Sequence, residues 1–200
     1  GLSLVAIYLR GSLVPGTPTL TKRYFPPWLL ALFGKEPADE FAGVAGADSE
    51  ETVPDAESLD PDALSDRTDA WRPFVTRVVE TLEEYDHEVL CSSFCEGALA
   101  ATREVSSYPV APICWRSVED GLAIAERHDA VAIHPPIELI EGTPFTDESV
   151  TAAEPGLIER AHAADRAVNV WTVTTWYEAA QLAAAGVDGL ISDYAGVVGR

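Results

Sequence analysis

Two runs near the end of the chain decide the fold: VNVWTV at residues 168–173 and VDGLI at residues 187–191. Both are short, apolar and rich in β-branched residues, which is typical of buried strands. Between them, Thr175 and Glu178 have the spacing of a helix-capping box, and Gly186 is the residue type that commonly ends a helix. The order strand, helix, strand predicts a parallel βαβ unit.

The same alternation continues upstream of this unit. The pattern predicts strands at Val89–Ser92, Val110–Cys114 and Ala130–His134, and helices at Ala98–Val105, from Ser117 and Asp120 to Arg127, and from Pro155 to Ala164. Such alternation favours a parallel sheet, either doubly wound or in a barrel, and the count favours about half a barrel. No glycine-rich phosphate loop follows any strand, which counts against a nucleotide-binding fold. In a barrel the reacting groups sit at the carboxyl ends of the strands.

The first part of the chain has a different character. Residues 2–10 form an apolar run that indicates one more buried strand. From about residue 15 to 70 lies an acidic, Pro- and Gly-containing insertion, in which residues 36–69 hold twelve acids against the single base Arg67. We expect a long, partly disordered loop there, containing one short helix with an apolar face between Tyr24 and Phe33. An amphipathic helix is predicted from Trp71 to Tyr85, and residues 1–200 are interpreted as one partial domain.

The charge of the chain is unusual. It carries 33 acidic and 13 basic residues, a formal net charge of -20. Such a surface repels nucleic acid and anionic membranes, so neither is an expected partner. The acids are spread along segments that otherwise have ordinary helix and strand patterns, which favours adaptation to high salt over a single acidic binding face.

Cysteine content and hydropathy indicate a cytoplasmic protein. Cys91, Cys95 and Cys114 are odd in number and lack the paired spacing of a zinc site, so we expect free thiols in a reducing compartment. The longest apolar run, residues 25–33, is far short of the roughly 20 residues that cross a bilayer. The chain contains no methionine and opens with Gly1 inside an apolar run, which suggests a fragment of a longer protein.

The closing stretch resembles a known family. VNVWTV at 168–173, a helix, and AAGVDGLISDY at 184–194 are similar, in order and spacing, to the closing signature of the glycerophosphodiester phosphodiesterases. VLCSSF at 89–94 is similar to the family's strand that ends in Ser-Phe, and IYLRG at 7–11 more weakly to its Glu-Leu-Lys strand. The resemblance covers residues 1–11 and about 71–198.

The resemblance implies an incomplete TIM-barrel-like (β/α) fold that lacks its first strands, with the chain beginning at the fourth strand. Family members use two histidines as acid and base and a divalent cation, Ca²⁺ or Mg²⁺, held by carboxylates. The motifs that carry these groups belong to strands before residue 1. Tyr8 stands where the family has a metal-binding Glu, Thr174 where it has Asn, and Ala195 where it has Pro. We therefore expect no catalytic residue and no bound metal in this chain alone.

Four residues are candidates for contact with a glycerophosphodiester. By the resemblance, Arg10 would hold the phosphate, although a salt bridge is an equally good explanation of that residue. Trp171 would wall the glycerol pocket, or else lie in the core beneath the helices. Ser93 and Phe94 would shape the mouth of the barrel, although serine at a strand end is also a common turn residue.

The four histidines, His87, His128, His134 and His162, match no catalytic position of the family. Only His134, between a strand and two prolines, could face a site, and a structural role is favoured for it. Two hypotheses remain. In the first, a parent protein hydrolyses glycerophosphodiesters to an alcohol and glycerol 3-phosphate, and this chain alone is inactive. In the second, the chain is a non-catalytic half barrel for binding or assembly, whose open sheet is covered in a homodimer.

Overall fold

A computed structural model describes the backbone of residues 6–10, and residues 60–84, 88–114, 117–147 and 156–192. The strands are β1 Ala6–Arg10, β2 Glu88–Ser93, β3 Val110–Pro112, β4 Ala132–Ile133, β5 Ala167–Val170 and β6 Gly189–Leu190. The helices are α1 Pro61–Leu82, α2 Glu96–Val105, α3 Val118–Arg127, α4 Leu157–Ala163 and α5 Trp176–Ala185, with a short 3₁₀ turn at Ile137–Leu139. The expected helix at 24–33 and the role of Pro155 fall outside the described residues.

Strands β2 to β6 run parallel, and their spatial order follows their order in the sequence. β2 pairs with β3, and β4 pairs with β5, which pairs with β6. An isolated parallel bridge between Ile113 and His134 joins β3 to β4. We call strands β2 to β6 the barrel arc, since sequential parallel strands with helices between them are the arrangement of a (β/α) barrel. The described strands do not close it, so the expected incomplete TIM-barrel-like fold is confirmed.

The helix termini follow from local hydrogen bonding. Ser117 Oγ accepts from Asp120 N at 3.1 Å at the start of α3. Thr175 and Glu178 form the expected capping box of α5, and Gly186 ends that helix at φ 93°, a conformation that glycine adopts without steric cost. These three predictions from the sequence are confirmed.

The amino-terminal side of α1 differs from the expectation. The helix begins at Pro61, ten residues before Trp71, and so includes the end of the segment predicted to be a loop. Asp60 explains the difference, because its Oδ1 accepts from Asp62 N at 3.1 Å and Ala63 N at 3.0 Å, and Pro61 suits the first helical position. The predicted start of the helix was wrong because the prediction relied on the acidic composition alone.

The orientation of β1 also differs. It pairs antiparallel with β2, so that Ala6 lies opposite Ser92 and Arg10 opposite Glu88. A barrel strand would lie parallel to its neighbours. The expectation that residues 2–10 supply a strand of the parallel barrel is therefore wrong.

The core lies between the barrel arc and its helices. Its main cluster packs β4 and β5 against α3, α4 and α5, through residues that include Ile133, Leu157, Ala161, Val168, Val170 and Leu182. Helix α2 crosses α1 at Gly97, where a Cβ atom would lie 2.6 Å from Arg67 Cβ. A side chain there would overpack the contact between the two helices.

All three cysteines are free thiols, as expected. Burial raises the pKa of Cys91 to about 11 and that of Cys114 to about 12. Both thiols therefore remain protonated and unreactive at neutral pH. In the part of the chain that the structure describes, no helix is long and apolar enough to cross a membrane.

One buried ionic cluster joins α2 to α3. The Glu96 side chain is 0% exposed, and its Oε1 lies 2.6 Å from Arg127 Nη1 and 2.9 Å from His128 Nε2. A buried carboxylate is tolerated only when it is paired and hydrogen-bonded. The cluster therefore fixes how these two helices meet behind β2 and β3.

We expect Glu96→Ala to lower the free energy of unfolding by about 3 kcal/mol, since it removes the buried carboxylate that both Arg127 and His128 contact. Glu104→Ala is the matched control. Glu104 accepts from Arg72 Nη2 at 2.6 Å, but the two side chains are 49% and 41% exposed. Loss of that surface pair should cost less than about 1 kcal/mol. Urea unfolding at constant ionic strength measures both, and equal losses would contradict the special role of the buried cluster.

Candidate functional site

The carboxyl ends of β2 and β5 bring two aromatic rings together. Phe94 follows β2, and Trp171 follows β5. Their ring centroids lie 5.5 Å apart at an interplanar angle of 90°, an edge-to-face contact that is favourable for aromatic rings. The pair stands at the edge of the barrel arc where barrel enzymes carry their reacting groups.

The indole of Trp171 is held in place by the neighbouring strand. Its Nε1 donates to the carbonyl oxygen of His134 at 2.8 Å. The backbone of Trp171 is fixed as well, because its N–H donates to Pro135 O at 3.0 Å. A ring anchored at both points is a rigid wall, suited to contact a ligand without losing conformational entropy.

His134 lies beneath this wall. It is 1% exposed, and its Nε2 lies 3.1 Å from Asn169 Nδ2 on β5. Burial lowers the pKa of His134 to about 4, so the imidazole is neutral at pH 7. These contacts agree with the structural role that is favoured for His134. A neutral, buried imidazole ring cannot release a proton to a substrate at neutral pH.

The VDG run at 187–189 builds the floor next to Asn169. Asp188 Oδ2 accepts from Val168 N at 2.7 Å and lies 2.8 Å from His162 Nε2. Burial raises the pKa of Asp188, but the hydrogen bonds from Val168 and His162 outweigh it, and the net pKa is lowered. A side chain at position 189 would clash with the Asn169 amide, so glycine is the residue that fits there. This motif therefore sets the register of β5 and β6.

Ser93 contributes to the turn that follows β2. It is 2% exposed, and its Oγ accepts from Cys95 N at 3.0 Å. Its hydroxyl oxygen thus holds the chain as it leaves β2 and positions Phe94.

Arg10 is not brought to this edge. It lies opposite Glu88, the first residue of β2, whereas Ser93 is the last. Five strand positions separate the two ends, a distance of about 17 Å. The antiparallel direction of β1 is the physical reason, and it removes Arg10 from the group formed by Ser93, Phe94 and Trp171.

Two features of this edge were not anticipated. Asn169 lies inside the VNVWTV run, but the pattern gives no sign that its amide meets His134. Three further aromatic rings, Phe145, Trp176 and Tyr177, also meet there. Adjacent aromatic residues directly after the Thr175 cap were the only signal in the sequence.

The described residues at this edge do not fit a metal ion. Among the residues that the structure describes, no group of three or more His, Cys, Asp or Glu side chains converges as a metal site would require. The groups that do converge are aromatic rings, one amide and one neutral imidazole. This arrangement can bind and orient a ligand.

Comparison with family models gives two matches. The model of the glycerophosphoryl diester phosphodiesterase family matches residues 59–197. The model of the N-terminal domain of a family of unknown function matches residues 1–36. The second match includes β1. Among curated proteins no relative matches.

Similar solved structures include a protein of Silicibacter pomeroyi described as a glycerophosphoryl diester phosphodiesterase, with 22% identity, a TM-score of 0.51, and coverage of 68% of this chain and 45% of that one. A phosphodiesterase of Oleispira antarctica, solved with its product sn-glycerol 3-phosphate, has 21% identity, a TM-score of 0.48, and coverage of 60% and 45%.

The chain thus matches about half the length of each of these two proteins. At this level of identity the first likeness shows the fold alone. The family model, in contrast, matches more than half of the chain, from just before α1 to beyond β6. The chain belongs to the glycerophosphoryl diester phosphodiesterase family.

Proposed function

We propose that residues 59–197 are the carboxyl-terminal half of a barrel that hydrolyses glycerophosphodiesters to an alcohol and glycerol 3-phosphate in a larger parent protein. The observation that carries the proposal is the Phe94–Trp171 pair, which stands at the carboxyl edge of the barrel arc in a chain of this family. Barrel enzymes place their sites at this edge.

In this proposal, Trp171 and Phe94 hold the glycerol part of the substrate. The Trp171 ring is fixed by His134 O and Pro135 O, so it presents the same surface before and after binding. An immobile aromatic wall packs against the C–H groups of glycerol and keeps water from that side of the phosphodiester. Ser93 supports the wall by holding the turn that positions Phe94.

We propose that the proton-transfer and metal-binding groups come from elsewhere in the parent protein. The family employs two histidines and a divalent cation, and the described part of this chain gathers no metal-binding cluster. His134 cannot substitute, because its pKa of about 4 lies too far below neutral pH for efficient acid–base catalysis. We therefore propose that the chain is inactive by itself and contributes binding surface.

A second candidate function is a non-catalytic half barrel that binds or assembles. The supporting observation is that, among the described residues, β6 pairs with β5 on one side only. An open strand edge invites pairing with another chain. Sedimentation of residues 1–200 separates the candidates: a stable homodimer with a two-fold symmetric contact at β6 supports the second, and a monomer contradicts it.

The first of two predictions in this subsection concerns His134 and pH. Because its folded pKa of about 4 lies below the unfolded value of about 6.5, the unfolded chain binds a proton that the folded chain does not. The stability is therefore complete above pH 6.5 and is lost as the pH falls towards 4, by about 2 kcal/mol at pH 5. Urea unfolding between pH 7 and pH 5 should show this slope.

The variant His134→Asn should lose that slope, whatever its stability at pH 7. Val131→Thr is the control, since Val131 is exposed and carries no ionisable group, so that variant should keep the slope. If His134→Asn shows the same pH dependence as the unchanged chain, the imidazole is not buried in its neutral form.

The second prediction concerns activity. The complete parent protein, supplied with Ca²⁺ or Mg²⁺, should release glycerol 3-phosphate from glycerophosphodiesters, whereas residues 1–200 alone should not. In the parent protein, Trp171→Ala should lower kcat/KM by about tenfold or more, because it removes the fixed wall of the substrate pocket. A coupled assay for glycerol 3-phosphate measures both.

Val131→Thr is the control for Trp171→Ala, since Val131 is 48% exposed and lies before β4, at the other end of the strand from the site. It should leave kcat/KM unchanged. A parent protein without hydrolytic activity would overturn the proposed function, and an unaffected Trp171→Ala variant would overturn the role of the wall.

A further inference from the structure

Strand β1 occupies one edge of β2. The other edge of β2 pairs in parallel with β3, whereas β1 pairs antiparallel over five residues, from Ala6 opposite Ser92 to Arg10 opposite Glu88. The other pairs among the described strands are all parallel. β1 therefore lies where the next parallel strand would lie if the barrel arc continued into a closed barrel.

The backbone groups of β2 that face β1 follow from the opposite edge of β2. Cys91 N donates to Pro109 O at 2.9 Å, so the backbone of Cys91 points towards β3. In an antiparallel pair, alternate residues point their N–H and C=O groups to the partner strand. The backbone groups of Leu90 and Ser92 therefore point towards β1, and Leu90 forms a hydrogen-bonded pair with Tyr8.

These groups of β2 can bond only one neighbouring strand at a time. A strand has a single row of N–H and C=O groups at each edge, and β1 takes this row of β2. A preceding strand of a closed parallel barrel would need the same row. β1 and such a strand therefore compete for one surface.

β1 also belongs to a different part of the chain from the barrel arc. The match to the phosphodiesterase family begins at residue 59, whereas β1 lies within the separate match at residues 1–36. β1 is thus an addition to the repeating strand and helix units of the arc. An added strand at the edge of a sheet is one of the ways in which proteins cover that edge.

We propose that β1 is a displaceable cover of the β2 edge, and that the partner this edge fits is a parallel strand from the other half of the parent protein's barrel. The cover prevents the edge from pairing with unrelated chains until that half is in place. The choice of partner rests on the proposed function, whereas the cover itself does not.

Two proline substitutions test the cover in residues 1–200. Tyr8→Pro removes an N–H that faces β2, whereas Leu9→Pro removes one that points away from β2, where an edge strand tolerates proline. Hydrogen exchange of the Leu90 and Ser92 amides measures the pairing. We expect Tyr8→Pro to speed their exchange by about tenfold or more, and Leu9→Pro to change it by less than about threefold.

The amides of Val168 and Ile191 report whether the rest of the arc stays folded. Val168 N donates to Asp188 Oδ2 at 2.7 Å, and Ile191 N donates to Val170 O at 2.8 Å. Both should exchange as in the unchanged chain. Faster exchange in β2 alone supports the cover. Equal exchange in β2 for the two proline variants would overturn it, and so would faster exchange throughout the arc, which would make β1 an integral part of the fold.

Uncovering the edge should also change the association of the chain. An exposed strand edge pairs with other chains, so Tyr8→Pro should form larger species than the unchanged chain as the concentration rises, and Leu9→Pro should not. Sedimentation measures this difference. A synthetic peptide of residues 1–14, supplied at roughly the millimolar effective concentration of a tethered strand, should reverse the association. Association that the peptide does not reverse would contradict the cover.

The parent protein tests the choice of partner. A parallel barrel strand that replaces β1 there would keep the Leu90 and Ser92 amides protected in Tyr8→Pro. Faster exchange of these amides in the parent protein would show that β1 is the permanent neighbour of β2 and overturn the assignment. None of these measurements requires hydrolysis, so a parent protein that releases no glycerol 3-phosphate removes the proposed function and leaves the cover in place.

Discussion

The backbone of His134 joins the two parts of the sheet, and the site depends on it. Its N–H donates to Pro112 O at 2.9 Å, and its carbonyl oxygen accepts from Cys114 N at 3.1 Å. The same oxygen accepts from Trp171 Nε1 at 2.8 Å. The two backbone groups of this one residue connect β3 to β4, and its carbonyl oxygen also orients the Trp171 ring.

This constraint explains why the imidazole of His134 is neutral. The bonds of its backbone fix the residue deep in the arc, where it is 1% exposed, and desolvation disfavours a charged ring. Asn169 supplies a neutral partner at 3.1 Å, and Gly189 leaves the space that Asn169 needs. The polar groups beneath Trp171 are therefore uncharged, whereas Glu178 in the first turn of α5 stays ionised, because hydrogen bonds from Thr174 and Thr175 lower its pKa.

Local sequence signals predicted those parts of the fold that local physics decides. Ser117, Thr175 and Gly186 each act within three or four residues, so their caps could be inferred from spacing. The start of α1 was predicted too late in the sequence. The twelve acids in residues 36–69 suggested a loop, and the helix cap at Asp60 was not recognised. The direction of β1 was wrong for another reason: an apolar run predicts a strand but carries no information about the orientation of its partner.

The residues of the candidate site were also predictable only in part. Trp171 could be inferred from the resemblance of VNVWTV to a family signature, and the structure places it at the carboxyl edge with Phe94. Arg10 could not be placed correctly, since its position depends on strand direction. The contact of Phe145 with Tyr177 was not foreseen, because the two residues are 32 positions apart in the sequence and meet only when β4 and β5 become neighbours.

Hydrogen bonds hold the segment that leads from Trp171 to the start of α5. Val173, between Trp171 and the cap of α5, is fully buried, and its N–H donates to Ile191 O at 2.8 Å. Glu178 accepts from Thr174 N at 2.7 Å and Thr175 N at 2.9 Å, so the chain from the wall to the helix is bonded at nearly every step. Trp171 and the first residues of α5 therefore keep a fixed spacing at the carboxyl edge of the barrel arc.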